Sequence, residues 1–246
     1  MKIILNGACG KMGKTILACM EKDADMTLAA AVDPFFTETD ETHLRALPDT
    51  DIGADVIIDF SHHTSTGAVA DYAEKFGIPV VLCTTGQTEE ELARVQALAA
   101  KVPVFFSANM SMGIALLVEL AKKSSAVLPN ADIEIIEKHH SAKLDAPSGT
   151  ALMIAQAIKS VRESLTMMLG RSGRRAREKN EIGIHAVRAG SIVGEHEVIL
   201  ATENEIITIG HAAQSRSVFA DGAIAAAKWL IGKDAGCYTM QDMISK

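Results

Sequence analysis

No apolar run in the 246-residue chain approaches the ~20 residues that a membrane-spanning helix requires, so no membrane span is expected. The apolar opening, MKIILNGACG, is interrupted by glycine and too short for a secretory signal. The four cysteines, Cys9, Cys19, Cys83 and Cys237, form no CxxC pair. Scattered thiols fit a reducing compartment, where they serve as small apolar groups, and a cytoplasmic location is expected. Concentrated positive charge is also missing: the net charge of −7 argues against nucleic acid as a partner. Only the stretch from Arg171 to Lys179 is locally basic. The histidines at 139, 140, 185, 196 and 211 are candidates for a zinc set, but no H-x3-H or Cys–His spacing accompanies them and no metal is expected. Internal repeats and low-complexity tracts are absent. What remains is an ordinary soluble composition, 48% hydrophobic and 22% charged, long enough for one large domain or two modest ones.

The first half alternates short β-like runs with amphipathic stretches. Strands are expected at 2–6, 26–33, 55–60, 79–83 and 103–107, and helices at 11–22, 65–76 and 88–101. A stretch without clear period runs from Asp33 to about Gly53. Short apolar strands separated by helices predict βαβ units and a parallel sheet covered on both faces. The pattern then changes. Helices are expected at 111–128 and 147–165, with a strand at 132–138 between them. IGIHAV, HEVILAT and EIITIGH follow as strands, the last two forming a hairpin turning near Glu203 and Asn204. Strands in succession predict an antiparallel or mixed sheet, hence a second domain. A helix at 220–231 closes the pattern, with Gly232 placed to end it.

The first chemical signal is ILNGACGKMGKTI, which sets Gly7, Gly10 and Gly13 between a strand and a helix. Glycine lets a backbone turn tightly against a pyrophosphate, and the helix N-terminus offers N–H groups and a favourable dipole. The spacing is GxxGxxG, so a turn that binds nothing is the alternative. Asp33 ends the next strand, where a carboxylate can accept hydrogen bonds from an adenine ribose and repel a 2′-phosphate; a turn cap is its alternative. Pro34, Phe35 and Phe36 follow instead of arginine, favouring NADH over NADPH, although Lys11 could reach a 2′-phosphate. Two more strand ends, Cys83 to Gly86 (CTTG) and Ser107 to Gly113 (SANMSMG), fall on the same expected edge.

The most specific segment is EIIEKHHSAKLDAPSGTAL, residues 134–152. His139 and His140 are adjacent and, on an extended strand, cannot face the same way. An imidazole can donate or accept a proton near neutral pH, and Lys143 adds fixed charge or a second proton. Ser148, Gly149 and Thr150 open a helix whose N–H groups suit a carboxylate. Together these predict a site for an anionic substrate that gains a proton, and with a hydride donor they predict reduction of a C=C or C=N bond. Chance pairing is the alternative, as for His62-His63 in the same chain.

The run E-HHSAK-DAPSGTA resembles the signature of the dihydrodipicolinate reductase family. GACGKMG, CTTG, SANMSMG, VRAGSIVGEH and HAAQSRSVFADGA agree in order, so the resemblance spans nearly the whole chain. It implies an α/β protein: a Rossmann-like, doubly wound parallel sheet over residues 1–109 and 218–246, plus a central α+β domain over 110–217. The central domain's open mixed sheet would bind substrate and build a homotetramer. The implied reaction is NADH- or NADPH-dependent reduction of a cyclic imine dicarboxylate to tetrahydrodipicolinate, in diaminopimelate and lysine synthesis.

By motif, His139 is implied as the general acid–base and Lys143 as a second proton donor, with His140, Ser148, Gly149 and Thr150 as substrate ligands. Gly7, Ala8, Cys9, Gly10, Lys11 and Met12 are implied as the pyrophosphate loop, and Asp33 as the ribose acid. Cys83, Thr84 and Thr85, with Ser107, Ala108, Asn109 and Met110, are implied on the nicotinamide side. Cys83 departs from the glycine of many relatives. The basic stretch is expected to be a solvated loop or, alternatively, a mobile segment that closes over the substrate. Competing functions are a non-catalytic dinucleotide sensor, which would not need HHSAK, and another two-domain nicotinamide oxidoreductase.

Overall fold

The computed structural model describes residues Met1–Ser245. In chain order the elements are β1 (Lys2–Asn6), α1 (Lys11–Met20), β2 (Thr27–Val32), β3 (His43–Leu44) and β4 (Val56–Asp59). After a 3-10 turn at His63–Ser65 come α2 (Thr66–Phe76), β5 (Val80–Leu82), α3 (Glu89–Ala99) and β6 (Pro103–Phe106). Next are α4 (Met112–Val127), β7 (Asp132–His139), α5 (Gly149–Lys159), β8 (Thr166–Leu169), β9 (Glu181–Arg188), β10 (Glu195–Ala201) and β11 (Ile206–Ala212). The series closes with α6 (Ser217–Leu230), β12 (Gly236–Tyr238) and α7 (Met240–Ile244). The chain divides into two compact units, Met1–Ser111 together with Arg216 onward, and Met112–Ser215.

The first unit is a seven-stranded parallel sheet in the order β12-β6-β5-β4-β1-β2-β3. This reversal of strand order at β1 is the doubly wound arrangement, which opens a crevice at the strands' carboxyl ends. The strands are short apolar runs because both faces are covered. Ile4, Ile57, Val80, Leu82 and Val104 pack with Val69, Ala73, Val95 and Leu98 of α2 and α3. The pleat turns Ile58, Val81 and Phe105 to the other face, also fully buried. Phe105 meets Trp229 of α6 edge-on there, with ring centroids 6.1 Å apart. The alanines of α6, Ala220, Ala223, Ala226 and Ala227, are all completely buried. Strand β3 pairs with β2 over two residues, too few for any periodicity to announce it.

The second unit is a mixed five-stranded sheet, β11-β10-β7-β9-β8. β10 lies antiparallel to both β11 and β7, whereas β7–β9 and β8–β9 are parallel. Alternation sends Ile133, Ile135, Ile182, Ile184, Val198 and Leu200 against α4 and α5, whose Leu117, Ala121, Ile154 and Ile158 complete the core. The other face carries Glu134, Lys138, His185, Glu195 and Glu197.

The expected helix at 147–165 is corrected. It ends at Lys159, and Thr166–Leu169 is strand β8. Leu165 falls seven positions after Ile158, a helical interval, but it is buried in a loop where Arg162 Nη1 donates to the Ala131 carbonyl at 3.0 Å. The basic stretch is a largely exposed loop, in keeping with the first expectation, but three of its arginines are pinned. Arg171 Nη1 donates to Glu181 at 2.9 Å, Arg175 pairs with the same carboxylate, and Arg177 reaches Glu134 at 3.0 Å and Asp132 at 2.6 Å. They meet the start of β7 and β9, at the opposite end of β7 from His139.

Candidate active site

In the first unit the carboxyl ends of β1, β2 and β4 border a cleft of about 560 Å³, lined by Gly7, Cys9, Asp33, Phe35, Ser61 and His62 among others. Gly7 has φ +85°, and a Cβ there would lie 2.6 Å from the Phe60 backbone. Gly13 lets α1 press on the loop, since a Cβ would stand 2.3 Å from the Gly7 carbonyl. Ala8 is buried and Met12 half-buried, while Gly10 and Lys11 at the start of α1 are exposed. Asp33 is buried with both oxygens engaged: Oδ2 accepts from Cys9 N at 2.9 Å and Oδ1 from Phe35 N at 3.0 Å. It therefore ties the glycine loop to the turn after β2 while still facing the cleft. A glycine cradle, a helix N-terminus and a carboxylate on one cleft fit a dinucleotide.

The nicotinamide-side predictions divide. Thr85, exposed, and Ser107 to Asn109 stand at the ends of β5 and β6. Cys83 is buried with its thiol 3.9 Å from the Val81 carbonyl, and burial pushes its pKa well up, so the sulfur itself is packed away from the surface. Met110 is buried too. Its carbonyl lies where a Cβ on Gly222 of α6 would come within 1.7 Å, so it anchors the loop. Thr84 spends its hydroxyl on Asp59 Oδ2 at 2.7 Å.

Asp59, which sequence reading missed, is completely buried. Oδ1 accepts from Asn6 Nδ2 at 2.7 Å and from Ser61 Oγ at 2.5 Å, joining the ends of β1, β4 and β5. Burial raises its pKa against those hydrogen bonds. The apolar run DVIIDF hid it. His62 and Phe60 were missed for another reason, namely that loop residues after a strand carry no periodic signal. Arg45 escaped because β3 brings it back from twelve positions after Asp33; its Nε donates to the Phe36 carbonyl at 2.8 Å.

In the second unit β7 ends in the His-His-Lys segment. Pairing runs to His139, whose carbonyl accepts from Ala189 N at 2.9 Å. His139 Nδ1 lies 2.6 Å from Glu137 Oε2, and the ring packs edge-on against His196 with centroids 5.2 Å apart. Burial lowers the His139 pKa, Glu137 raises it, and the Lys143 and Arg188 charges lower it again, for a net downward shift. Lys143 Nζ pairs with Asp145 Oδ1 at 2.8 Å. His140 is half-buried beside it. Ser148 caps α5, its Oγ accepting from Ala151 N at 3.2 Å and meeting His196 Nε2 at 3.1 Å, while its own N–H donates to Glu137 Oε1. Ser148 is thus engaged through both its hydroxyl and its N–H in holding the start of α5. Gly149 and Thr150 supply the outward first turn. Burial drops the His196 pKa to about 4, which keeps that ring neutral. Among the described residues no group of His, Cys, Asp or Glu is arranged to hold a metal ion.

The family model for the N-terminus of dihydrodipicolinate reductase matches residues 1–110, and that for the C-terminus matches 113–244. The chain belongs to the dihydrodipicolinate reductase family. Two similar curated family members are the 4-hydroxy-tetrahydrodipicolinate reductases of Clostridium novyi and Caldanaerobacter subterraneus subsp. tengcongensis, each 48% identical. The first alignment covers 99% of this chain and 98% of the relative, the second 100% and 99%. The dipicolinate-bound dihydrodipicolinate reductase from Paenisporosarcina sp. TG-14 superposes with a TM-score of 0.84 at 26% identity, covering 99% of both chains. As a member of this reductase family, the chain carries both halves of the expected fold, the parallel sheet and the mixed one.

Proposed function

We propose that this chain catalyses the NAD(P)H-dependent reduction of 4-hydroxy-tetrahydrodipicolinate, through dihydrodipicolinate, to tetrahydrodipicolinate in diaminopimelate and lysine synthesis. The observation that carries this reading is His139, held at Nδ1 by a buried carboxylate, in one segment with Lys143 and the opening turn of α5.

The chemistry divides between the units. Gly7 to Met12 and Asp33 would hold the dinucleotide, with Thr85 and Ser107 to Asn109 on its nicotinamide side. When bound, the reduced cofactor supplies a hydride. His139 then delivers a proton through Nε2 to the electron-rich carbon–nitrogen system left behind. Lys143 and the Gly149–Thr150 N–H groups neutralise and orient a substrate carboxylate, and His140 lines the same segment. Charge stabilised only as it develops lowers the barrier, which is why a proton donor and a fixed cation belong together.

Asp33 favours NADH, because a second negative charge on a 2′-phosphate would face a carboxylate; Lys11 opposes that preference. The open face of the mixed sheet, with Ile206 exposed on edge strand β11, suits a homotetramer. No helix of the described residues is long and apolar enough to cross a membrane. A cytoplasmic enzyme acting without metal or nucleic acid is the reading we adopt.

The test couples the chain to a synthase that makes substrate from pyruvate and aspartate semialdehyde, and follows oxidation of NADH and NADPH. Synthase-dependent oxidation is expected, faster with NADH. His139→Gln should keep NADH affinity while kcat falls on the order of 10²–10⁴-fold. Folded protein that binds dinucleotide but oxidises neither cofactor would overturn the proposal in favour of a sensor.

A further inference from the structure

Alternation along DIEIIEKH puts Ile133, Ile135, Glu137 and His139 on the helix-covered face of the sheet. Glu137 is completely buried there. A carboxylate in such a place persists only if its acceptor positions are filled. They are. Oε1 accepts from Arg188 Nη2 at 2.7 Å and from Ser148 N at 2.9 Å. Oε2 accepts from Arg188 Nη1 at 2.8 Å and meets His139 Nδ1 at 2.6 Å. Two oxygens offer about four acceptor sites, so none is left over for a proton. An ionised Glu137 can only accept, which makes His139 Nδ1 the donor in their contact.

Arg188 Nη2 also donates to the Asp145 carbonyl at 2.7 Å. One carboxylate therefore fixes the imidazole, the loop bearing Lys143 and the first turn of α5 in one frame. Its effect surfaces on the far side of the ring. A Cβ at position 194 would lie 3.1 Å from His139 Nε2, so Gly194 leaves that nitrogen uncrowded.

We propose that Glu137, clamped by Arg188, is a positioning residue for the proton transfer: it locks His139 as the Nδ1–H tautomer and holds the second proton on Nε2. The proposal rests on His139 being the proton donor. A carboxylate that orients a histidine and stabilises its charged form serves the same physical purpose in other acid–base sites.

The groups facing His139 set the sign of the effect. Glu137 on its own strand favours the imidazolium. Arg188 on β9 and Lys143 in the following loop oppose it, as does burial. His196 on β10 is neutral, Asp145 is engaged by Lys143, and Ser148 on α5 is uncharged. Removing the Glu137 charge leaves only opposing influences, so His139 must lose its proton at lower pH.

The test begins with the unaltered protein, using ¹⁵N NMR of the imidazoles assigned through His139→Gln. Nδ1 is expected to carry the proton in the neutral form, and an Nε2–H tautomer would overturn the proposal. Glu137→Gln should move the basic limb of the kcat–pH profile down by about one unit, with kcat near pH 8 falling roughly tenfold. Activity should recover at lower pH, and NADH affinity should not change. Glu137→Asp keeps the charge and should leave the limb closer to its original place, although kcat drops. Should the unpaired, half-buried arginine unfold Glu137→Gln, Glu137→Gln/Arg188→Gln removes both charges and is expected to show a smaller downward shift, since losing Arg188 offsets part of the loss of Glu137. A folded Glu137→Gln or double variant with the limb unmoved overturns the proposal and leaves the reductase reading intact. Absence of reductase activity in the unaltered protein would sink that reading instead, with the tautomer still deciding whether Glu137 orients His139.

Discussion

Gly13→Ala isolates what the third glycine of the loop does. Gly13 has no left-handed backbone requirement, so alanine is conformationally welcome and would gain ~1 kcal/mol of helix propensity. Only space opposes it. The new Cβ would stand 2.3 Å from the Gly7 carbonyl oxygen and 2.7 Å from the Ala8 Cα, whereas ordinary contact begins at 3.4 Å. The shortfall is 3.4 − 2.3 = 1.1 Å, set by backbone atoms that have no rotamer to give. Helix α1 must retreat by that distance, and overpacking of this kind costs about 1–3 kcal/mol. Net stability should fall by up to ~2 kcal/mol once propensity is credited. The larger effect is on the cofactor, because the N–H groups at the start of α1 move with the helix. Losing one charge-assisted hydrogen bond, about 1.5–3 kcal/mol, raises the NADH Kd roughly ten- to a hundredfold.

Gly67→Ala is the matched control. Gly67 lies in α2 with nothing within 4 Å of an added methyl group, so the same change should stabilise by ~0.5 kcal/mol and leave NADH binding alone. Fluorescence titration with NADH and thermal unfolding read both variants. If Gly13→Ala bound NADH within about twofold of the parent and melted like Gly67→Ala, the close-approach argument would be refuted.

Acid should act in two windows. Burial lowers the His196 pKa from 6.5 to about 4, so the folded state binds that proton less readily than the unfolded chain. Stability present above pH 6.5 is then lost as pH falls toward 4, and His196→Gln should flatten that part of a Tm–pH curve. Pairing with Arg175 and Arg171 lowers the Glu181 pKa from 4.5 to about 2, so its contribution persists above 4.5 and disappears as pH falls toward 2. Glu181→Gln should remove this second slope and leave the first; an unchanged slope would deny the arginine latch its role. Iodoacetamide on the folded protein should label exposed Cys237 well ahead of buried Cys83, as mapped by peptide mass spectrometry. Rapid labelling of Cys83 with loss of activity would return that thiol to the site.

Much of this molecule was legible from spacing alone. Strand β1 coincides with its expected range, and the other long elements except α5 lie within a few residues of theirs, because each buries a whole apolar face and so advertises its period. The glycine loop and the HHSAK segment were legible for a related reason: chemistry that needs adjacent residues leaves them adjacent. Strands β3, β8 and β12 were not, since none is a fully buried apolar run like β4 or β5, and each owes its extension to a neighbouring strand. Leu165 shows the ambiguity directly, a helical interval from Ile158 satisfied instead inside a loop. The sequence named His139, Lys143 and Asp33, but pairing across strands decided what surrounds them. Register brought Arg188 of β9 beside His139 and His196 of β10 opposite Glu137, from positions far along the chain. Charge on a buried group is settled by such long-range partners, and no local pattern encodes them.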